Sequence, residues 1–424
     1  MEAIYDLDAE NPATAWLTEA ADHARAAVRR LARTTLAARN DALLAMARAV
    51  FDKRTDILEA NARDLAAFSG AAPFRDRLTL TRQHIDTMVS SLHAVAALPD
   101  PLRVLDSWTR PNGLRIERIA SPIGVLGIIF ESRPNVGLDA AALAVKSGNA
   151  VILRGGREAR ATSAALHRAI AAGLAEAGLP PAAVQMAPTP DRTFVAAMLA
   201  AEGQIDLLIP RGGRSLVERV RREARVPVLS HADGLCHTYI HRAADIAMAT
   251  EVLVNAKLRR TSVCGATETL LIDSEIANAS LPGILRDLAD RGCVFRGDVR
   301  ARALFPEMVP ATEMDFWTEW QDAILSVAVV DGLEAAVSHI NRYGSGHTDA
   351  ILTEDETAER HFMAEVDSAV TIWNASTQFS DGGEFGFGAE IGIATGRVHA
   401  RGPIGAEQLT TPRYNVIGSG QVRP

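Results

Sequence analysis

Apolar residues recur at three- and four-residue intervals through residues 14–68, with Val28, Leu31, Leu44, Ala47, Phe51 and Leu58 among them. That spacing lines one face of a helix. The basic run Ala26-Ala-Val-Arg-Arg-Leu sits among acidic residues and has no aromatic on its apolar face, so it reads as a solvated face rather than a membrane-surface helix. From Ser121 the pattern changes to short apolar runs at 125–130, 150–153, 184–186, 206–209 and 226–229, separated by helical patterns at 137–147, 158–177, 191–201 and 214–224. Buried parallel strands read as continuous apolar runs, and right-handed crossovers put helices on both faces of such a sheet. A doubly wound α/β domain is predicted. Strands at 268–272, 326–330, 350–352 and 369–373, with helices at 243–257, 276–290, 333–341 and 355–365, predict a second one. The Gly-rich stretch 382–405 suits loops shaped around a ligand or a neighbouring subunit.

With 424 residues the chain has room for two or three domains, and 48% hydrophobic with 23% charged residues is a folded, globular composition. The net charge of −8 argues against nucleic acid as a partner, because phosphate-backbone affinity needs clustered cations. Cys236, Cys264 and Cys293 are odd in number and far apart, which excludes a disulfide framework and suits a reducing compartment. No run approaches the ~18 apolar residues of a membrane span, and no basic-then-apolar signal opens the sequence. A cytoplasmic protein is expected.

Phosphate-loop, zinc-protease, nucleophile-elbow and G-x-G-x-x-G signatures are absent from the expected places. Two strand-to-helix junctions instead put arginines beside glycines: Leu153-Arg154-Gly155-Gly156-Arg157 and Pro210-Arg211-Gly212-Gly213-Arg214. Glycine lets a backbone approach a phosphate, a helix N-terminus offers N–H groups, and a guanidinium forks onto phosphate oxygens. Either junction alone reads equally as a turn with solvated arginines; two in one sheet point to an anionic cofactor at the carboxyl ends of its strands. Cys264 follows Lys257, Arg259 and Arg260 and precedes an apolar strand. Nearby cations favour a thiolate, the nucleophilic form, although a buried packing role remains open from the sequence alone. Cys236 enters an apolar run and reads as packing, and Cys293 has no feature suggesting a role. His231, Asp233, Cys236 and His237 lack a second ligand pair at zinc spacing, so no metal is expected.

Gly124-Val-Leu-Gly-Ile-Ile-Phe-Glu-Ser-Arg-Pro-Asn135, Lys146-Ser-Gly-Asn-Ala-Val-Ile-Leu-Arg-Gly-Gly156, Leu208-Ile-Pro-Arg-Gly-Gly213, Asn255-Ala-Lys257 with Cys264 and Glu268, and His399-Ala-Arg-Gly-Pro-Ile-Gly405 occur in this order along essentially the whole chain. In these segments the sequence resembles the gamma-glutamyl phosphate reductase branch of the aldehyde dehydrogenase superfamily, in its stand-alone rather than kinase-fused form. The resemblance implies an aldehyde dehydrogenase-like α/β fold: an NADP-binding domain at 1–232 whose segment 109–121 extends into an oligomerisation hairpin, a catalytic cysteine domain at 233–397, and a C-terminal oligomerisation segment at 398–424. By position, Cys264 falls on the catalytic cysteine and Asn135 on the asparagine whose amide stabilises the oxyanion. Arg154 stands where relatives keep a lysine near the cofactor ribose, and Arg157 where NAD-preferring relatives often carry a glutamate. A cation there implies NADP. Gly155, Gly156, Arg211, Gly212 and Gly213 complete the expected cofactor set, with Glu319 matched to the carboxylate on the nicotinamide ribose.

The general-base glutamate of hydrolytic relatives is missing from the segment 230–237, where Asp233 is the nearest carboxylate, which suits acyl exchange with phosphate rather than water. Gly265-Ala266-Thr267 and Thr261 depart from the branch's pattern and bear on substrate detail. Arg133, Lys257, His399 and Arg401 are the cations expected around L-glutamyl 5-phosphate. Homo-oligomers and association with a glutamate 5-kinase are implied partners. A dehydrogenase for another acyl phosphate, a non-catalytic nucleotide-binding protein and an acidic-partner scaffold remain alternatives, since a fold does not fix a function.

Overall fold

A computed structural model of the chain describes residues 11–70, 72–131, 133–230 and 233–423. The chain forms two compact units: one comprises the residues up to Ser230 with Gly386–Gly392 and those from Ile404, the other His231–Phe385 with Ile393–Pro403. The C-terminal segment from 398 is therefore shared between the two units.

In the first unit, helices α1 (Pro12–Leu31), α2 (Leu36–Asp52), α3 (Arg54–Ala67), α4 (Ala72–Leu78) and α5 (Arg82–Ala97) precede β1 (Val104–Thr109), β2 (Arg115–Pro122), β3 (Val125–Phe130), α6 (Pro134–Lys146), β4 (Ala150–Arg154), α7 (Arg160–Glu176), β5 (Val184–Met186), α8 (Arg192–Leu199), β6 (Leu207–Arg211) and α9 (Arg214–Glu223). Local chemistry sets the helix starts. Asn11, Thr35 and Asp191 cap α1, α2 and α8 through their side-chain oxygens, and Thr81 with His84 closes a capping box on α5. β3 is buried at every residue and pairs in parallel with β4 and β6, in the order β5-β4-β3-β6. The order reverses beside β3, so the crevice that such sheets offer to ligands lies at the carboxyl ends of β3 and β6. The strand expected at 226–229 is reduced to one bridge, Leu208 to Val228. Pro227, which has no N–H to give, lends only its carbonyl to Leu208.

The second unit contains β7 (Cys236–Ile240), α10 (Ile246–Leu258), β8 (Thr267–Asp273), α11 (Ser274–Ala289), β9 (Val294–Gly297), α12 (Val299–Leu304), β10 (Val309–Pro310), β11 (Ile324–Val330), α13 (Gly332–Tyr343), β12 (Thr348–Leu352), α14 (Glu356–Glu365), β13 (Val370–Trp373), β14 (Ile393–Ala394) and β15 (Gly402–Pro403). Among the described residues, seven strands form a parallel sheet in the order β10-β9-β11-β8-β7-β12-β13. Alternation along β8 feeds a core on each face: Leu270 and Ile272 join Leu253, Leu285 and Val327, while Leu271 joins Tyr239, Ile351 and Phe362. Back in the first unit, β16 (Thr410–Ile417) pairs antiparallel with β2, giving a three-stranded β1-β2-β16 sheet whose Val104, Leu105, Tyr414, Val416 and Ile417 are exposed. No helix among the described residues is long and apolar enough to cross a membrane.

Gly173 of α7 lets the backbone of α2 come close: a Cβ there would lie 2.5 Å from Met46 Cα and 2.6 Å from Met46 N. An alanine gains about 1 kcal/mol of helix propensity, but backbone cannot step aside as a side chain can, and overpacking costs about 1–3 kcal/mol. Gly173→Ala is expected to lower the thermal midpoint; an unchanged or raised midpoint in a melting experiment would show that the two helices have slack.

Candidate active site

Cys264 sits half-buried in the loop between α10 and β8, at the amino ends of the parallel strands of the second unit. Two elements hold this loop. Gly234, just before β7, lies against it so closely that a Cβ would stand 2.1 Å from the Cys264 carbonyl oxygen and 2.6 Å from its Cα. The Cys236 thiol donates to the same carbonyl at 3.1 Å and lies 3.6 Å from His347 Nδ1. Burial pushes the Cys236 thiol well above its ordinary range, so it stays protonated and able to donate. From the far side, Gln378 donates to the carbonyls of Asn255 and Ala256, which fixes the end of α10, and Arg259 donates back to its Oε1.

Glu319 accepts from Gly234 N–H and from Gln321 Nε2, and burial raises its carboxyl above the usual range. It therefore shares with Cys264 the contact to Gly234. Lys257 differs from expectation. Its side chain is 0% exposed and its ammonium donates to Glu268, itself 1% exposed, at 2.5 Å. That ammonium is committed inside the protein and is not presented at a surface for a substrate. Burial lifts the Glu268 carboxyl to about 7 against the opposing pull of Lys257, with a further bond from Gln321 N. Leaving one charge of such a pair unmatched typically costs about 3–5 kcal/mol, so the pair anchors α10 to the start of β8.

His399 adopts φ +73° between β14 and β15. Arg401 binds Asp367 through Nη1 at 2.9 Å and the Asp367 carbonyl through Nη2 at 3.2 Å, and Arg397 joins the same carboxylate. Of the residues His231, Asp233, Cys236 and His237, His231 lies outside the described residues, Cys236 faces the Cys264 loop, and His237 is bonded to Asp349 at 2.8 Å. Among the described residues no group of three or more potential ligands could hold a metal ion. Cys293 is buried and its thiol is pushed up to about 12 by that burial.

In the first unit, the loop after β3 carries Glu131 and Arg133, Ser132 lying outside the described residues. Pro134 starts α6, so Asn135 stands on its first turn, exposed, with its Nδ2 3.3 Å from Asp139 Oδ2. At the end of β4, Arg154 is buried and donates to the Pro190 carbonyl at 2.5 Å, and exposed Arg157 follows the two glycines. Bonds from Thr193, together with the charges of Arg154 and Arg157, hold Asp191 below the usual carboxylate range, which gathers these side chains at one end of the sheet. Two features fit a phosphorylated nucleotide. Arg154 Nε is buried without a hydrogen-bond partner among the described residues, and a Cβ on Gly213 at the start of α9 would meet nothing within 4 Å. Sequence reasoning missed Glu131, whose Oε2 accepts from Gly213 N–H at 3.2 Å, and Asp139. It also aimed Arg211 at the cofactor, whereas its side chain packs under Gly392 and acts electrostatically on Asp139. The four-residue step from Asn135 to Asp139 on a helix was the available signal.

The profile of the aldehyde dehydrogenase family matches residues 7–290. The gamma-glutamyl phosphate reductase of Acidiphilium cryptum (strain JF-5) is 60% identical over 420 residues, covering 99% of this chain and 100% of that protein. That of Gluconobacter oxydans (strain 621H) is 61% identical over 406 residues, 95% of each. The crystal structure of the gamma-glutamyl phosphate reductase from Thermotoga maritima superposes with a TM-score of 0.94 at 42% identity, over 96% of this chain and 100% of that one. The chain therefore belongs to the aldehyde dehydrogenase family, in its gamma-glutamyl phosphate reductase branch.

Proposed function

We propose that the protein reduces L-glutamyl 5-phosphate to L-glutamate 5-semialdehyde and phosphate, the second step of proline biosynthesis from glutamate, through a thioester on Cys264. The observation that carries this reading is the half-exposed thiol on a loop braced by Gly234 and Cys236 at the amino ends of the strands. The full-length likeness to reductases of that name supports the substrate.

In this reading the Cys264 sulfur attacks the acyl phosphate carbonyl, the oxygen takes the negative charge, and phosphate leaves with the electrons of its bond to carbon. NADPH, when bound, supplies the hydride that reduces the thioester carbonyl. The oxyanion then expels the Cys264 thiolate and the semialdehyde departs. The amide of Asn135 and the backbone N–H of Cys264 stabilise the charged oxygen in both tetrahedral states, a contribution of about 3 kcal/mol per donor. Arg154, Arg157 and the glycine junctions 155–156 and 212–213 of the first unit bind the cofactor's phosphates, with Arg157 for the 2′-phosphate, and Glu319 of the second unit is the carboxylate for the nicotinamide ribose. Arg133, His399 and Arg401 meet the substrate's anionic groups. The exposed β1-β2-β16 sheet, with 398–418, pairs subunits of a homo-oligomer in the cytoplasm, where a glutamate 5-kinase supplies the labile acyl phosphate.

Run in reverse, glutamate 5-semialdehyde with NADP⁺ is expected to raise nicotinamide absorbance only when phosphate is present, and Cys264→Ser to abolish the signal. Turnover without phosphate would instead indicate a hydrolytic enzyme. Arg157→Glu is expected to raise the KM for NADP⁺ by about 10- to 100-fold, the loss of charge-assisted bonds, while NAD⁺ kinetics change within a few fold. Equal effects on both cofactors would remove Arg157 from the 2′-phosphate.

A further inference from the structure

We infer that Asp139 is a positioning residue that fixes the orientation of the Asn135 side-chain amide, so that an N–H rather than the carbonyl oxygen faces the reacting oxygen. The inference rests on the reading of Asn135 as oxyanion donor and extends it to the group behind that donor.

Asn135 and Asp139 are one turn apart on α6, so their side chains share a face. Nδ2 of Asn135 approaches Asp139 Oδ2 at 3.3 Å, and the other carboxylate oxygen accepts from Ser91 Oγ of α5 at 3.1 Å. The charged group that acts on Asp139 is Arg211, at the end of β6. Its side chain lies against the backbone of Gly392, where a Cβ would stand 2.9 Å from its Cδ and 3.1 Å from its Nε. Asp139 is thus bonded from two elements, α5 and its own helix, and feels the charge of Arg211 at the end of β6.

An amide has two unlike ends, one with two donors and one that only accepts. An ionised carboxylate accepts only, so turning the Asn135 amide over would set two acceptors against each other. The ionised Asp139 therefore selects one orientation and occupies one N–H, which directs the second N–H outward. A protonated Asp139 can donate to the amide oxygen, and the selection is lost. The turned-over amide then presents its carbonyl oxygen to a developing negative charge and repels it.

Burial raises Asp139 to about 6, with the bonds from Ser91 and Asn135 and the charge of Arg211 pulling the other way. The sign for catalysis is that the ionised form is needed, so orientation is lost as pH falls through about 6. The sign for stability is opposite. A folded value above the unfolded one means that the fold binds this proton more tightly, and that ionisation weakens the fold as pH rises from the ordinary carboxylate range through about 6. Removing the charge at neutral pH should leave the fold as stable or more so while slowing the reaction, a combination that a structural role would not produce.

The test is a double-mutant cycle of Asp139→Asn and Asn135→Ala in the reverse reaction, with kcat and KM measured from pH 5 to pH 8 and the melting midpoint for each variant. Asp139→Asn is expected to lower kcat roughly tenfold, to leave the KM for the semialdehyde within about twofold, to remove the acidic limb near pH 6 and not to lower the midpoint. In the Asn135→Ala background it is expected to cost nothing further. The same loss in both backgrounds, or a loss matched by a lower midpoint, overturns the inference while leaving the donor reading intact. An Asn135→Ala variant with unchanged kcat overturns the donor reading, and this inference with it.

Discussion

The contact between the backbones of Gly234 and Cys264 is the constraint on which the site of the second unit depends. A methyl carbon on Gly234 would stand 2.1 Å from the Cys264 carbonyl oxygen, far inside van der Waals contact, so the loop bearing the thiol keeps this path only while residue 234 has no side chain. The Cys236 thiol completes the brace from the first residue of β7, and Glu319 takes up the Gly234 N–H from the other side. One glycine thereby couples β7, the nucleophile loop and the segment before β11. Rotation of the cysteine loop would break its contacts to Gly234 and Cys236 together.

The two units use opposite ends of their parallel sheets. In the first, the arginine and glycine junctions follow β4 and β6 at the carboxyl ends, where helix N-termini and a strand-order reversal favour an anionic ligand. In the second, Gly234, Cys264, Glu319 and His347 all precede strands, and the loops there hold a thiol, a carboxyl raised by burial and a histidine. The buried Lys257–Glu268 pair lies just behind, tying α10 to β8, so the loop between them is anchored at both ends by a contact that solvent does not reach. Rigid anchoring of a short loop is what reaction at a fixed thiol requires.

Much of this was legible in the chain. The buried run 125–130 is β3, and most of the alternating strands and helices fall within a few residues of their expected places, because continuous apolar runs and helical periodicity respond to burial and little else. Cys264 was marked by its cations. The rest depended on long-range packing. Nothing local distinguishes Lys257, whose charge is matched by a carboxylate eleven residues on, from the surface cations around it. Cys236 reads as a packing residue, and only the approach of the Cys264 loop gives its thiol an acceptor. Arg211 ends a strand as a phosphate ligand should, yet its side chain packs against the backbone of Gly392 and its charge acts on Asp139. Strands β1 and β16 escaped the apolar pattern because several of their non-polar side chains are left outside.

In the proposed reaction the braced thiol of Cys264 carries the acyl group. Incubating the protein with glutamate 5-semialdehyde and NADP⁺ in the absence of phosphate, followed by intact mass measurement and peptide mapping, tests it directly. A glutamyl adduct is expected on the peptide containing Cys264, discharged when phosphate is added. An adduct on Cys236 or Cys293, or rapid turnover of NADP⁺ with no adduct on any cysteine, would contradict it.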